Sequence, residues 1–235
     1  VFGEAIEVNI LNMTNRKNRG KSILALSLVF GPALFLIFIA TRSCEHKFKT
    51  LDDFGVATNY QFTDAKGRHY SSKDFQGDLV IITTIQETCP DSCAIKLWHL
   101  DKTIYQHIRK NKRKKMKQVK LISFATDGKG RSLTNLNLIE QALKDQVEGY
   151  DPDLWIIAKG EPEKLYNFKN NGRSLLQEGK QYYGGHAFQE LILLLDKENH
   201  LRMVLPGNAE GTIRRMKEHI ALLQKQYDKE ASKNK

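Results

Sequence analysis

The sequence predicts an α/β fold: a parallel strand pair joined through a helix, then closed by an antiparallel hairpin and a last helix. Three observations predict it. Apolar runs at 79–84 and 119–125 read as buried strands. Between and after them apolar residues recur at helical spacing, as at Leu136, Ile139, Leu143 and Val147. A third apolar run, 188–195, is separated from 201–205 by the turn Lys197-Glu198-Asn199-His200, which is the pattern of a hairpin. A chain of 235 residues, 40% of them hydrophobic, suits one domain of ordinary size with appendages.

The chain opens with residues 1–22, read as a cytoplasmic segment. Met13 stands before a basic stretch holding Arg16, Lys17, Arg19 and Lys21, and is expected to be the initiator, with an upstream extension before it. Residues 23–40 carry no charge and are interrupted only by Ser27, Gly31 and Pro32. As a helix they would span roughly 27 Å, just enough for the bilayer core. The basic flank before them keeps the N-terminus inside and exports the remainder; Arg42, Lys47 and Lys49 beyond weaken that bias. The expectation is a single-pass anchor in a bacterial inner membrane, with the domain facing the periplasm or the cell exterior. A cleaved signal peptide is the alternative, but no A-x-A-like site is evident. A lipid-modified Cys44 is a third, although Thr41-Arg42-Ser43 matches such a site poorly.

Residues 41–58 read as a linker and 59–228 as the folded domain. Residues 60–63 and 68–70 flank a Gly-containing turn and form an expected N-terminal hairpin. Residues 71–77 are one turn before the strand at 79–84. After a short stretch holding two cysteines, Ile95, Leu97, Trp98, Leu100, Ile104, Tyr105 and Ile108 supply a helical apolar face. The second strand, 119–125, ends in the loop 126–130, and the helix 136–147 follows. Residues 153–157 are a short extended piece. Pro162 opens a helix at the position where its missing N–H is not needed. Residues 175–185 read as an irregular loop. After the hairpin, 212–227 is an amphipathic helix with Ile213, Met216, Ile220, Leu223 and Tyr227 inward, and 229–235 is expected to be a disordered tail. This element order describes a thioredoxin-like domain, a fold that hosts redox, peroxidase and metal chemistry alike.

Formal charge is +10, and it is uneven. Seven of the nine residues 109–117 are basic. They read first as a solvated helix end, where cations also suit the dipole, and second as a surface for anionic lipid or an acidic partner. No nucleic-acid partner is expected, because an exported domain would not meet one and no aromatic stacking pattern accompanies the charges. With only Cys44, Cys89 and Cys93, the chain is no disulfide-stapled mini-domain.

The chemistry concentrates in Glu87-Thr88-Cys89-Pro90-Asp91-Ser92-Cys93, where a strand ends and a helix begins. Pro90 suits the first helical position, which puts Cys89 near the N-cap and Cys93 within or just after the first turn. Unpaired N–H groups and the helix dipole favour thiolate there. Thioredoxin-type oxidoreductases have two residues between their cysteines; here there are three. Positions four apart on a helix hold their Cβ atoms about 5–6 Å apart, wider than the about 3.5–4.5 Å of a disulfide. The same gap lets two thiolates converge on a soft ion, Cu(I) or Zn. A third ligand would have to come from elsewhere.

The stretch Thr88 to Cys93 resembles the C-P-x-x-C core of the Sco/SenC family, which are copper-binding, membrane-anchored thioredoxin-fold proteins. Asp74-Phe75-Gln76-Gly77 before the cysteine strand, Ser123 to Asp127, and Leu154-Trp155-Ile156-Ile157-Ala158-Lys159-Gly160 agree with it. The resemblance implies a third copper ligand just before a late strand. The matching residue is His186, in Tyr183-Gly184-Gly185-His186-Ala187-Phe188, and it starts the hairpin that a thioredoxin fold returns towards the cysteine helix. His99 is the rival ligand, but lies six residues past Cys93; the remaining histidines read as surface or packing residues. Two departures are Ala94, where the family usually has proline, and Gly185, where it usually has aspartate. An aspartate there would orient or tune the imidazole.

The resemblance implies a metal set of Cys89, Cys93 and His186, copper as the bound metal, and a cytochrome c oxidase subunit with a copper centre as the partner. The expected function is copper delivery to that centre. The alternative is a thiol-disulfide oxidoreductase, with Cys89 as nucleophile and Cys93 as resolving thiol, reducing cysteines of an exported client. Peroxidase chemistry fits less well, because Gln86 stands three before Cys89 where a T-x-x-C spacing needs threonine. A structural disulfide is the blandest reading.

Overall fold

The computed structural model describes residues 21, 24, 26–38, 50–87, 91–111, 118–166, 169–170, 173–174 and 187–233. The chain divides into two units, 1–48 and 49–235. In the first, residues 26–38 are helical. Among the described residues no helix is long and apolar enough to cross a membrane; the anchor expected over 23–40 falls partly outside those residues.

The second unit is built on a mixed sheet. Its strands are β1 (Gln61–Asp64), β2 (His69–Ser71), β3 (Leu79–Gln86), β4 (Val119–Thr126), β5 (Trp155–Gly160), β8 (Leu191–Leu195) and β9 (Leu201–Pro206). Two short strands, β6 (Lys169–Asn170) and β7 (Arg173–Ser174), pair only with each other. The helices are α1 (Asp91–His99), α2 (Gln106–Lys110), α3 (Asn137–Gln146), α4 (Pro162–Tyr166) and α5 (Glu210–Lys233). Among the described residues the large sheet has seven strands in the order β2-β1-β5-β4-β3-β8-β9. β3, β4 and β5 run parallel, whereas β8 is antiparallel to both β3 and β9. The unit β4-β3-β8-β9, with α1 between β3 and β4 and α5 after β9, is the thioredoxin-like arrangement that the element order predicts.

Successive side chains of each strand point to opposite faces of the sheet, and both faces are covered, so the central strands are apolar on both. Leu79, Ile81 and Ile85 of β3, Leu121 of β4 and Trp155 of β5 face a core closed by Leu100, Ile104, Leu143, Met216 and Leu223. Val80, Ile82, Ile122, Phe124 and Ile156 face a second core with Phe62, Phe75, Leu165, Tyr166 and Phe188. β3 is buried along nearly its whole length, as a central strand in a two-faced sheet must be.

Four sequence expectations are revised. First, part of the stretch expected as linker is folded: Leu51 and Ala57 are buried, Phe54 N–H donates to Leu201 O at 2.9 Å and Ala57 N–H to Asn199 O at 2.8 Å. The cause is Arg202, whose guanidinium is buried and donates to Leu51 O, Asp52 O and the Asp196 carboxylate at 2.8, 3.0 and 2.9 Å. Second, the apolar face of the cysteine helix is rotated. Ile95 and Trp98 are 51% and 58% exposed while Lys96 is buried. The π-helical turn Leu100–Tyr105 widens the winding, so positions four apart, 96, 100, 104 and 108, stay on one inward side. Third, residues 187–190 form a 3₁₀ turn, and the strand starts only at Leu191. Fourth, α5 continues to Lys233, so helix occupies most of the stretch expected as a disordered tail. It carries the Gln226–Glu230 side-chain bond at i,i+4 spacing.

Two measurements check this packing. Arg202→Met should lower stability by about 3–5 kcal/mol, because it leaves the Asp196 carboxylate buried and unpaired; it should also open residues 50–58 to limited proteolysis, and a denaturation curve matching the wild type would count against the clamp. A second check uses the ion pair His200–Asp53, at 2.8 Å. The hydrogen bond to Asp53 raises the His200 pKa against the opposing effect of burial. Burial pushes the Asp53 carboxyl up, but the His200 and Gly55 hydrogen bonds outweigh it and the net shift is down. The histidine's contribution is full below its unfolded value of about 6.5 and is lost as pH rises through its higher folded value. The aspartate's is present above its unfolded value of about 3.9 and is lost as pH falls through its lower folded value. His200→Ala should therefore cost up to about 1 kcal/mol below the unfolded histidine value, near pH 5.5, and progressively less as pH rises through the raised folded value; a cost that does not fall with rising pH would contradict the pairing.

Candidate metal centre at the carboxyl ends of β3 and β4

The strand β3 is buried through Ile85, two threonines included, and ends at the half-buried Gln86 on the sheet margin. Glu87 N–H still donates to Thr126 O at 2.9 Å, so the chain stays beside β4 up to the edge of the cysteine motif. Helix α1 starts at Asp91, and Cys93 is its third residue. Cys93 thus belongs to the first turn, where backbone N–H groups lack helical partners and the dipole is positive. Cys89 and His186 lie outside the described residues, as does Cys44.

What the structure does place is the chain on either side of them. The turn Ala187–Glu190, which follows His186 directly, is fastened to the end of β3 and to α1. The carbonyl of Gln189 accepts from Thr84 Oγ1 at 2.6 Å and from Lys96 Nζ at 2.7 Å. Lys96 Nζ also donates to Thr84 O at 3.1 Å. The Gln189 side-chain amide lies 2.8 Å from Thr126 Oγ1. Turned so that both its ends are satisfied, its nitrogen donates to Thr126 Oγ1 and Asp127 O, and its oxygen accepts from Gly130 N–H at 3.0 Å. Gly130 has φ +81, and a Cβ there would meet the Phe188 ring at 2.7 Å, so only glycine lets the loop lie flat on that ring. The turn after His186 is thereby held at the carboxyl ends of β3 and β4, the edge where open α/β sheets place their ligands.

The charges here are few. Burial pushes the Lys96 ammonium down to about 7, while Glu190 pulls the other way. Asp127 is held below the usual carboxylate range chiefly by the Arg131 N–H, with Arg131's side chain and the Lys129 N–H adding to this against burial. That fastens the loop after β4. His99 is the last residue of α1; six residues of helix put it about 9 Å of axial rise beyond Cys93, and its buried Nδ1 has no hydrogen-bond partner among the described residues. Arg109 and Lys110, the described start of the basic run, pair with Glu148, which suits a solvated helix end. Among the described residues no group of three or more His, Cys, Asp or Glu could hold a metal.

Sequence reasoning missed Thr84, Lys96 and Gln189. Lys96 sits in Ala94-Ile95-Lys96-Leu97, where a lysine between apolar residues reads as a surface position. Gln189 falls inside a run that reads as strand. The only usable signal was the spacing of Lys96 with Leu100, Ile104 and Ile108.

The fold and this edge define a thioredoxin-like domain with a cysteine at the start of its first sheet-crossing helix. The SCO1/SenC family model matches residues 49–224, most of the chain, and the chain belongs to that family. No curated protein sequence matches it. Among solved structures it is similar to Bradyrhizobium japonicum ScoI with copper bound, at 15% identity over 71% of this chain and 98% of that one, with a TM-score of 0.45. It is similar to yeast Sco1 with copper bound, at 16% identity over 71% and 93%, with a TM-score of 0.47. It is also similar to BsSco, a member of the Sco family of cytochrome c oxidase assembly proteins in which a disulfide switch was identified, at 15% identity over 74% and 99%, with a TM-score of 0.48.

The Gln189 junction can be checked directly. Gln189→Ala should take the Thr126 hydroxyl's side-chain partner away and leave Gly130 N–H with only Asp127 O as acceptor, at a cost of about 1–3 kcal/mol. Urea denaturation reads this, and a loss below experimental error would show that the amide does not hold the loop.

Proposed function

We propose that this chain is a copper-binding protein that delivers its metal to the copper centre of a respiratory cytochrome c oxidase. Copper is the cargo, held by Cys89, Cys93 and His186. The observation that carries the reading is the fastening of residues 187–190 to the strand that leads into Cys89 and to the helix that contains Cys93. Family membership over 49–224 supports it, as does the donor set, since two thiolates and an imidazole suit Cu(I). The start of α1 favours the thiolate form. A site with three protein ligands leaves room for an incoming ligand from the acceptor, so copper can pass by ligand exchange without first dissociating.

The reading includes a membrane anchor at 23–40, in a bacterial inner membrane, with the domain in the periplasm or at the cell exterior. Its support is the helix at 26–38, where Leu26, Leu28, Val29, Phe30, Leu34, Phe35 and Leu36 are all exposed by half or more. A helix apolar on every side suits lipid or a protein interior and not water.

A copper titration of the reduced full chain in detergent tests the proposal. The wild type should bind one Cu(I) per chain, and Cys89→Ser, Cys93→Ser and His186→Ala should each lose at least tenfold in affinity, on the order of a ligand's removal. His186→Ala should keep its dithiol exchange with a model disulfide. Copper binding unchanged in His186→Ala would leave dithiol chemistry as the function.

A further inference from the structure

Lys96 is the one buried lysine among the described residues, at 6% exposure. Its stem passes under Gly207, where an added Cβ would lie 3.0 Å from Lys96 Cε and 3.0 Å from Glu190 O. Its ammonium ends between two carbonyls of different elements, Thr84 O in β3 and Gln189 O in the turn before β8, at 3.1 and 2.7 Å. An unbranched apolar side chain would fill this space with no charge to desolvate. A buried ammonium is tolerated only where it is paired or hydrogen-bonded, and these bonds join the two parts of the chain that bracket the expected ligands. We propose that Lys96 is a positioning residue: it ties the turn that follows His186 to the strand that leads into Cys89, and so sets the spacing at which thiolates and imidazole share one copper ion. The inference rests on the copper reading above. Thr84 Oγ1, the other donor to the same carbonyl, is the second half of the clasp. The lowered pKa of Lys96, from burial, agrees with its enclosure.

The test is Cu(I) affinity of the reduced full chain in detergent, by competition with a chromophoric Cu(I) chelator. The chains compared are the wild type, Lys96→Met, Thr84→Val, His186→Ala and the Lys96→Met/His186→Ala double variant. Lys96→Met keeps the stem and removes the ammonium; it should weaken binding about 10- to 100-fold, as loss of an outer-shell partner does. It should add nothing to His186→Ala, because a residue acting through the imidazole has no effect once that ring is gone. The Cu(II) form of Lys96→Met should also lose nitrogen hyperfine coupling in its EPR spectrum. Thr84→Val should give a loss of about tenfold in the same direction, and it decides the matter if Lys96→Met does not fold. Wild-type affinity in the single variants, or an equal loss with and without His186, overturns the role of Lys96. A wild-type chain that does not bind Cu(I) overturns the copper reading itself, a result distinct from binding that ignores Lys96.

Discussion

Two donors converge on one backbone carbonyl, and the edge of the sheet is organised around it. Gln189 O accepts from Thr84 at 2.6 Å and from Lys96 at 2.7 Å, joining β3, α1 and the turn before β8 at a single point. Residues 187–190 are not in a strand, and the β8–β9 ladder reaches them only at Glu190, whose carbonyl accepts from Gly207 N–H at 2.6 Å. Without these bonds the Phe188 ring and the Gln189 amide would hold that turn to the end of β4 and the loop after it, not to the end of β3. All of these groups lie at the carboxyl ends of the parallel strands, where the fold leaves an edge open to a ligand.

The rest of the domain makes that edge rigid. β3 is central, buried on both faces and paired along eight register positions with β4. Its end therefore cannot shift without disturbing two cores. On the far side, β9 is backed by the 50–58 segment through the buried Arg202–Asp196 pair, and Gly207, just past its end, covers the Lys96 stem. The site edge is thus supported by long-range contacts, with local loop chemistry contributing at Asp127 and Gly130.

Much of this was legible in the sequence, for identifiable reasons. β3, β4 and α3 were readable because burial on one or two faces imposes its own period on the residue pattern. The N-terminal hairpin was readable from its glycine turn, and the cysteine motif from its spacing and its proline. The phase of the cysteine helix was not legible, because a π turn alters the winding and leaves no local signature; Ile95 and Trp98 therefore seemed inward and Lys96 outward. The fold of residues 50–58 was not legible either. Its order comes from one arginine some 150 positions away in sequence, donating to backbone carbonyls that every residue carries. The turn at 187–190 reads as strand because its composition continues that of β8.

The central claim is that Cys89, Cys93 and His186 hold a single copper ion across this edge. X-ray absorption on the Cu(I)-loaded full chain tests it most directly. The account expects two sulfur neighbours and one nitrogen neighbour, with the nitrogen lost in His186→Ala. A copper bound by sulfur alone, with a spectrum that His186→Ala leaves unchanged, would contradict it.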